Sequence, residues 1–309
     1  KTLKGILNVG NWNSGEVSFE KTLAQTSGAA VAIGLAFDAC NQVDHASLIA
    51  ARQYDETIKT LAKYLKSLAP RKVLLRAGYE FDGLWNCYDP ESYKGAFRHI
   101  ALSMKHYGAD NVAMVWQSAA WPAPQFAGKC AHLYDHTDPA HIEKWYPGDD
   151  VVDWISISSF YRDLAPFNFE TQLSPAETQQ LYVDFARKKQ KPLMISEAAP
   201  QGYRTGALTK SFIGINDAKA VTAEYIWQNW YQPFFEFIRE NKDVIRAVAY
   251  INTHWESQPR WYCAPNAAPP AKECPEGNWG DSRVQANPYI KQKWLEQVND
   301  KSFWRQTNP

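Results

Sequence analysis

The chain has 309 residues, and its 33 Lys and Arg balance its 33 Asp and Glu, so the formal net charge is zero. Nucleic acids and other anionic polymers favour basic protein faces, and a neutral partner is therefore expected instead. No apolar run of about 18 residues occurs, so we predict no membrane span. The 13 Trp, 16 Tyr and 14 Phe exceed what a core requires. Several lie in predicted loops, where exposed rings suit ligand binding and can stack on sugars.

Short apolar segments alternate with amphipathic segments along the whole chain. The apolar segments predict strands that begin near Gly5, Ala29, Val73, Val112, Val151, Leu193 and Ile245. Apolar residues spaced by three and four predict helices over 54–68, 97–107, 178–189, 221–241 and 290–298, the fourth of them kinked at Pro233. This alternation predicts βαβ units around a parallel sheet. Seven strands are one short of an α/β (β/α)8 TIM barrel, which is nevertheless the fold we expect for residues 1–309 as a single domain.

Two of the predicted strands end on a glutamate. The run 72–80 stops at Glu80, and the run 191–197 stops at Glu197. Catalytic groups of barrel enzymes lie at the carboxyl ends of the strands. Glycoside hydrolysis needs two carboxylic residues, an acid/base and a nucleophile. A single glutamate after a strand is more often a solvated loop residue or a helix cap, so the hypothesis depends on the pair.

The residues around Glu80 favour a cleft over a free surface. Arg76 lies within a predicted buried strand, where its charge needs a partner, and Glu197 is the candidate for that ion pair. Tyr79, Asp82 and Trp85 surround the glutamate with polar and aromatic groups. His254 follows the last predicted strand and is a candidate substrate contact.

The five cysteines indicate an oxidising, secreted setting, with free buried thiols as the alternative. Cys263 and Cys274 flank a loop rich in Pro and Ala and would close it as a disulfide. Cys87 and Cys130 are the next candidate pair, which leaves Cys40 over. The chain opens on a lysine without a visible signal peptide, which suits a mature, processed product.

Other polar groups suggest weaker alternatives. Asp149, Asp150 and Asp153 precede a strand, where capping and turn roles are expected in place of metal binding. Three histidines lie in the long insert 122–146, where a metal site is the less favoured reading: His132, His136 and His141. No G-x-S-x-G motif surrounds Ser158 and Ser159, which argues against a serine hydrolase.

Several segments resemble glycoside hydrolase family 26, and within it the endo-β-1,3-xylanases. They include Arg-Ala-Gly-Tyr-Glu-Phe-Asp-Gly at 76–83, Tyr-Pro-Gly-Asp-Asp-Val-Val-Asp-Trp at 146–154 and Trp-Gly-Asp-Ser-Arg-Val-Gln at 279–285, together with 114–117, 191–197 and 250–252. Their order is the family's order. The Tyr before Glu80 is typical of the β-1,3-xylanase branch, since the mannanases more often have His there.

The resemblance implies a (β/α)8 barrel and endo cleavage of a β-linked polysaccharide with retention, β-1,3-xylan being the first candidate. It implies Glu80 as acid/base at the end of strand four and Glu197 as nucleophile at the end of strand seven. With Glu80 and Glu197 placed in this way, the first strand predicted here corresponds to the family's second strand. The family's first strand would then lie before Lys1. No metal or organic cofactor is expected. The expected substrate contacts are Arg76, Tyr79, Asp82, Trp85, Trp116, Gln117, Tyr161, His254, Trp255, Trp261 and Trp279. Trp116 and Trp255 lie at predicted strand ends and are expected to be partly exposed, with packing in the core of the barrel as the alternative.

Three departures from the family affect the substrate more than the reaction type. The insert 122–146 is longer than expected, the loop between Cys263 and Cys274 is additional, and Ser158 stands in a segment where the family usually has a Tyr near the nucleophile. The alternatives are therefore mannan, β-glucan or another algal or plant polysaccharide as substrate, or a non-catalytic carbohydrate-binding barrel. The remaining expectations are a secreted monomer without nucleic-acid or membrane partners.

Overall fold

The computed structural model of the chain describes residues 23–24, 28–37, 43–121, 133–161 and 173–304. Strands within these ranges are β1 Val31–Leu35, β2 Val73–Ala77, β3 Val112–Ser118, β4 Trp154–Ser159, β5 Leu193–Ala198, β6 Tyr203–Arg204, β7 Thr209–Phe212, β8 Ile215–Ala220 and β9 Ile245–Val248. A six-stranded parallel sheet runs in the order β1-β2-β3-β4-β5-β9. Because helices cover parallel strands, these strands are near-continuous apolar runs.

The six strands confirm six of the seven predicted ones. The seventh, starting near Gly5, lies outside the described residues. The observed boundaries differ from the predicted ones by a few residues. A parallel sheet with alternating helices is therefore confirmed, and closure into an eight-stranded barrel stays a prediction.

Helices alternate with the strands of the parallel sheet. They are α1 His45–Ala50, α2 Asp55–Ser67, α3 Pro90–His106, α4 His141–Trp145, α5 Pro175–Lys189, α6 Ala223–Ile226, α7 Gln232–Glu240 and α8 Pro288–Val298. Side-chain caps begin five of them, α1, α3, α5, α6 and α8. Asp89 accepts from the first turn of α3, and Ser174 forms a capping box with Glu177 at α5. None of the helices in the described ranges is both long and apolar enough to cross a membrane.

The helix predicted over 221–241 is interrupted before its proline. A π-helical turn, Trp227–Tyr231, joins α6 to α7. Pro233 has no N–H to donate to the carbonyl four residues earlier, so the hydrogen-bond register must change near this point. The irregularity was expected from the proline, and it lies in the turn that precedes it.

A small antiparallel sheet was not predicted. Strands β6, β7 and β8 form a three-stranded sheet between β5 and α6. The segment is polar and exposed on much of β8, so it lacks the apolar alternation that reveals a half-buried strand. Arg204 on β6 is held by an ion pair with Glu256 at 2.6 Å.

Candidate active site

Glu80 lies in a tight turn that follows β2. Its φ is +53°, and that of Gly78 is +58°. A Cβ at Gly78 would come within 2.5 Å of Phe37, so glycine is required there. The amide of Phe81 donates to the carbonyl of Gln117 at 3.1 Å, and Asn86 Nδ2 donates to the Glu80 carbonyl at 2.8 Å. These bonds hold a non-glycine residue in the left-handed region, a strain that often occurs at functional sites.

The Glu80 carboxyl group is buried among neutral partners. Only 8% of the residue is exposed. Ser158 Oγ donates to Oε1 at 2.7 Å, and Trp85 Nε1 donates to Oε2 at 3.0 Å. Burial, and then the negative charge of Glu197, raises the pKa of Glu80 to about 8, although the two hydrogen bonds act in the opposite direction. The group is therefore protonated at neutral pH and able to act as an acid.

Glu197 lies on β5 beside a cation. Arg76 Nη1 is 2.5 Å from its Oε1, and Gln117 Nε2 lies 3.4 Å from the same oxygen. The prediction that Arg76 pairs with Glu197 is confirmed. The pairing of β4 with β5 shifts by one residue, so that Ser158 faces Glu197. Such an irregularity turns the following side chains to the other face of a sheet.

A chain of hydrogen bonds joins the two glutamates. Arg76 Nη1 donates to Gln117 Oε1 at 2.9 Å, and Gln117 Nε2 donates to Ser158 Oγ at 3.1 Å. Ser158 in turn donates to Glu80. The two glutamates predicted from strand ends therefore lie in one network, and the serine in place of the family's expected tyrosine belongs to it.

Tyr79 lies against the ion pair. The Arg76 guanidinium is 5.3 Å from the centre of its ring. Burial, followed by the charges of Glu197 and Glu80, raises the pKa of the Tyr79 hydroxyl. The charge of Arg260 also acts on this hydroxyl, and Arg260 lies over the Trp261 ring at 4.8 Å. The loop carrying Trp261 is thus near the two glutamates.

Three of the predicted tryptophans form one cluster. The ring of Trp279 lies 4.4 Å from that of Trp261 and 4.9 Å from that of Trp255. Phe160, directly after β4, contacts Trp279 at 5.4 Å. Trp261 and Trp279 are half-buried, whereas Trp255 is only 8% exposed and donates to Ser282. The prediction that Trp255 is partly exposed is therefore wrong, because its indole is packed and hydrogen-bonded.

Trp116 and Asp82 do not face a substrate cleft in this structure. Trp116 is fully buried and stacks on Phe81 at 4.4 Å, so the prediction of partial exposure is wrong. The Asp82 carboxylate is likewise enclosed, between His136, His141 and Tyr182. An inward-facing residue at a strand end can fill the core instead of lining the mouth of the sheet.

The other predicted contacts vary in exposure. Trp85 is 47% exposed and touches Glu80, which suits contact with a ligand. Gln117 is buried but reaches Glu197. Tyr161 and His254 are half-buried, and the Tyr161 ring contacts Trp121.

A cavity of about 630 Å³, which was not predicted, lies beside Tyr161. Neither Glu80 nor Glu197 lines it. Its walls combine Phe160 and Tyr161 with residues of the small sheet, of α6 and of the π-helical turn, among them Tyr203, Lys210, Tyr225 and Trp230.

The cysteine and aspartate predictions can be compared with the structure directly. Cys263 and Cys274 form a disulfide, as predicted. Cys87 is also disulfide-bonded, and its predicted partner Cys130 and the leftover Cys40 lie outside the described residues. The three aspartates before β4 have structural partners: Asp149 accepts from Tyr146, Asp150 pairs with Arg98, and Asp153 accepts from the amide of Met114.

Comparison with known proteins gives two related β-1,3-xylanases. The chain is 39% identical to the β-1,3-xylanase TXYA of a Vibrio species over 264 residues, which are 84% of the chain and 50% of that protein. It is 37% identical to a β-1,3-xylanase of an Alcaligenes species over 259 residues, which are 82% of the chain and 48% of that protein. The chain thus spans about half the length of the curated relatives it matches. No protein-family model matches the sequence.

Solved structures share the fold at low sequence identity. A β-mannanase of glycoside hydrolase family 26 from Bacteroides ovatus superposes with a TM-score of 0.56 at 15% identity, covering 99% of this chain and 81% of that one. A modular family 26 endo-β-1,4-mannanase from Cellulomonas fimi gives 0.55 at 10% identity, covering 93% and 59%. The chain is therefore similar in sequence to β-1,3-xylanases over more than four-fifths of its own length, and it shares its fold with enzymes of glycoside hydrolase family 26.

Proposed function

We propose that this chain is a retaining endo-glycoside hydrolase that cleaves β-1,3-xylan, with Glu80 as acid/base and Glu197 as nucleophile. The observation that carries the proposal is the difference between the two carboxyl groups. Glu80 is buried with a pKa of about 8, whereas Glu197 is paired with Arg76. Two carboxyl groups whose surroundings differ in this way are what the acid and nucleophile of a glycosidase require.

The proposed reaction has two steps. The Glu197 carboxylate attacks the anomeric carbon while Glu80 transfers its proton to the leaving oxygen, which breaks the glycosidic bond and leaves a glycosyl-enzyme. Glu80, now ionised, takes a proton from a water molecule that attacks the same carbon and releases Glu197. Retention requires carboxyl groups about 5–5.5 Å apart, and the hydrogen-bonded chain through Gln117 and Ser158 supports a short separation.

The substrate would bind along the exposed aromatic groups around this pair. Trp85 is exposed beside Glu80. The half-buried Trp261 and Trp279 flank the loop between Cys263 and Cys274. The disulfide between Cys263 and Cys274 holds that loop, closing a separation of 11 residues. Preference for β-1,3-xylan is supported by the two named relatives, which are β-1,3-xylanases.

Three wider proposals accompany this function. We propose that residues 1–309 form one catalytic domain and that its sheet closes into an eight-stranded barrel, which the family 26 neighbours support. Secretion is proposed because disulfides persist mainly in oxidising compartments. The expectation of a monomer stays a prediction.

Release of reducing ends from a panel of polysaccharides tests the function. β-1,3-Xylan, β-1,4-xylan, mannan and laminarin should be compared at equal mass, with products separated by size and the first-formed anomer followed by NMR. We expect oligosaccharides of the β-anomer from β-1,3-xylan. Glu240→Gln, at an exposed site on α7, is the matched control for loss of a glutamate.

Each rival predicts a different result on this panel. Faster cleavage of mannan or laminarin than of β-1,3-xylan would move the substrate assignment without changing the mechanism. First formation of the α-anomer would contradict retention. Binding to one of the polysaccharides with no reducing ends from any of them would indicate a carbohydrate-binding protein.

A further inference from the structure

Four polar side chains from four separate segments meet in the interior beneath the turn of Glu80. Asp82 Oδ2 lies 3.0 Å from His136 Nε2, 3.3 Å from His141 Nε2 and 2.5 Å from the Tyr182 hydroxyl oxygen. The hydroxyl oxygen is also 3.2 Å from His136 Nε2. The side chains of the aspartate and both histidines are at most 1% exposed. Solvent therefore does not satisfy these groups.

Too many donors converge on one oxygen for hydrogen bonding alone. Asp82 Oδ2 also receives the Ser118 hydroxyl at 2.7 Å, so four polar atoms surround it. A carboxylate oxygen offers about two lone-pair sites. His136 Nδ1 is buried without a hydrogen-bond partner. In either neutral tautomer of His136, Nδ1 is therefore unsatisfied, as a donor when it carries the proton and as an acceptor when Nε2 carries it.

The same atoms have the spacing of a tetrahedral metal site. Zinc binds nitrogen and oxygen at about 2.0–2.2 Å, which separates neighbouring ligand atoms of a tetrahedron by about 3.3 Å. Three of the four measured separations are 3.0–3.3 Å. With a cation at the centre, Ser118 and the amide of Ala119, which is 2.8 Å from Oδ1, would bind the remaining lone pairs of the ligating carboxylate.

We propose that Asp82, His136 and His141 bind one zinc ion, with the Tyr182 oxygen at the fourth corner. Two imidazoles and a single carboxylate suit zinc better than calcium or magnesium, which take mainly oxygen ligands. Four protein groups fill a tetrahedron and leave no position for substrate or water, and the site is enclosed. The ion is therefore structural, and it takes no part in the cleavage reaction.

The zinc ion would join the insert to the catalytic turn. His136 belongs to the insert 122–146, His141 begins α4, Tyr182 lies on α5, and Asp82 is two residues after Glu80. One ion would thus fix the position of the turn that carries the proposed acid. In a cluster held only by hydrogen bonds, the same groups would contribute packing but would not respond to a chelator.

Metal analysis of the full chain, purified without a metal-affinity tag, tests the proposal. We expect elemental mass spectrometry to find about one zinc ion per chain. Removing it with a strong chelator should lower the midpoint of thermal unfolding by several degrees, and added Zn²⁺ should restore the midpoint. Cobalt added to the zinc-free chain should give the intense visible absorption of a four-coordinate ion.

His141→Gln removes one ligand and retains an amide that can donate to Asp82. This variant should lose the zinc and the response of the unfolding midpoint to chelator. His99→Gln is the matched control, because His99 also contacts an aspartate, Asp55 at 2.7 Å, but no third ligand joins them among the residues that the structure describes. It should keep the full zinc content within the same assay.

Absence of zinc from the wild-type chain, together with an unfolding midpoint that neither chelator nor added Zn²⁺ moves, would overturn the proposal. Weak cobalt absorption of the six-coordinate type would also overturn it. Should His141→Gln fail to fold, the zinc content and cobalt spectrum of the wild-type chain decide alone. Activity is a separate readout, because a metal-free chain that cleaves polysaccharide would leave the proposed function intact.

Discussion

The ends of β2 and β5 read alike in sequence and differ in the structure. In each segment a short apolar run leads to a glutamate: Glu80 comes three residues after β2, and Glu197 lies near the end of β5. Glu80 is enclosed by the hydroxyl of Ser158 and the indole of Trp85, whereas Glu197 faces the guanidinium of Arg76. The pattern of residues predicts where the two acids lie. Their partners, which come from other strands and loops, determine which acid carries a proton.

The two environments reinforce each other. Arg76 lies on β2, the strand before Glu80, yet its ion pair crosses to Glu197 on β5. The ionised Glu197 then raises the pKa of Glu80, the second cause after burial. The charge of Glu197, which is paired with Arg76, therefore favours the protonated form of Glu80, although the charge of Arg76 itself acts on Glu80 in the opposite direction.

Glu197→Gln should cause the largest loss of activity among the substitutions considered. It removes the proposed nucleophile and leaves the Arg76 charge without its partner. We expect turnover to fall on the order of 10⁴-fold, a size typical when the reacting unit of an enzyme is lost. Initial rates on β-1,3-xylan and on an activated aryl glycoside should fall alike. Retained activity on either substrate, at the level of the Glu240→Gln control, would exclude Glu197 as the nucleophile.

Glu80→Gln should separate the two roles. General acid catalysis contributes about 10²–10⁴-fold, so kcat/KM on β-1,3-xylan should fall by that amount. An activated leaving group needs little protonation, and there kcat/KM should fall by less than about tenfold. Equal losses for both variants on the aryl glycoside would show that the assignment of roles is wrong.

The pH dependence follows from the same assignment. Glu80 must be protonated to act as an acid, and its pKa is raised to about 8. Its proton is therefore present below that pH and is lost above it, so kcat/KM on β-1,3-xylan should decline as the pH rises through about 8. Rates measured from pH 5 to 10 should show this limb in the wild type, about tenfold per pH unit at its steepest. In Glu80→Gln, assayed on the aryl glycoside, the limb should be absent.

Much of the fold and of the site was predictable from local patterns. Six strands and the central ion pair follow from apolar runs, from strand ends and from the rule that a buried arginine needs a partner. The small sheet β6-β7-β8 was missed because its residues are polar and its strands pair with one another. Their pairing is tertiary information that no window of sequence contains.

Other features could not be predicted because they depend on the packing of distant segments. Trp116 lies near the end of β3 and Trp85 follows β2, yet Trp116 stacks on Phe81 in the core and Trp85 is 47% exposed. The shift between β4 and β5 that brings Ser158 to face Glu197 depends on the pairing of two strands about 40 residues apart. Asp82 was predicted to line the cleft because it is close to Glu80 in the sequence. In the structure, His136 and Tyr182 from distant segments enclose its carboxylate.

The smallest expected effect concerns Ser158, the uncharged hydrogen-bond partner of Glu80. Its hydroxyl donates to Glu80 and favours the ionised form, so it lowers the pKa that burial raises. Ser158→Ala should therefore move the alkaline limb of kcat/KM to higher pH, by about one unit at most.

Ser156→Ala is the matched control, because Ser156 is a buried hydroxyl two residues earlier on β4 that bonds to Ser196 and to the carbonyl of Met194. Its limb should stay at the wild-type pH. A limb that moves to lower pH in Ser158→Ala, or that moves equally in both variants, would mean that the hydroxyl does not act on the proton of Glu80. The pKa of Glu80 would then be set by burial, by the charges of Glu197 and Arg76 and by the hydrogen bond from Trp85.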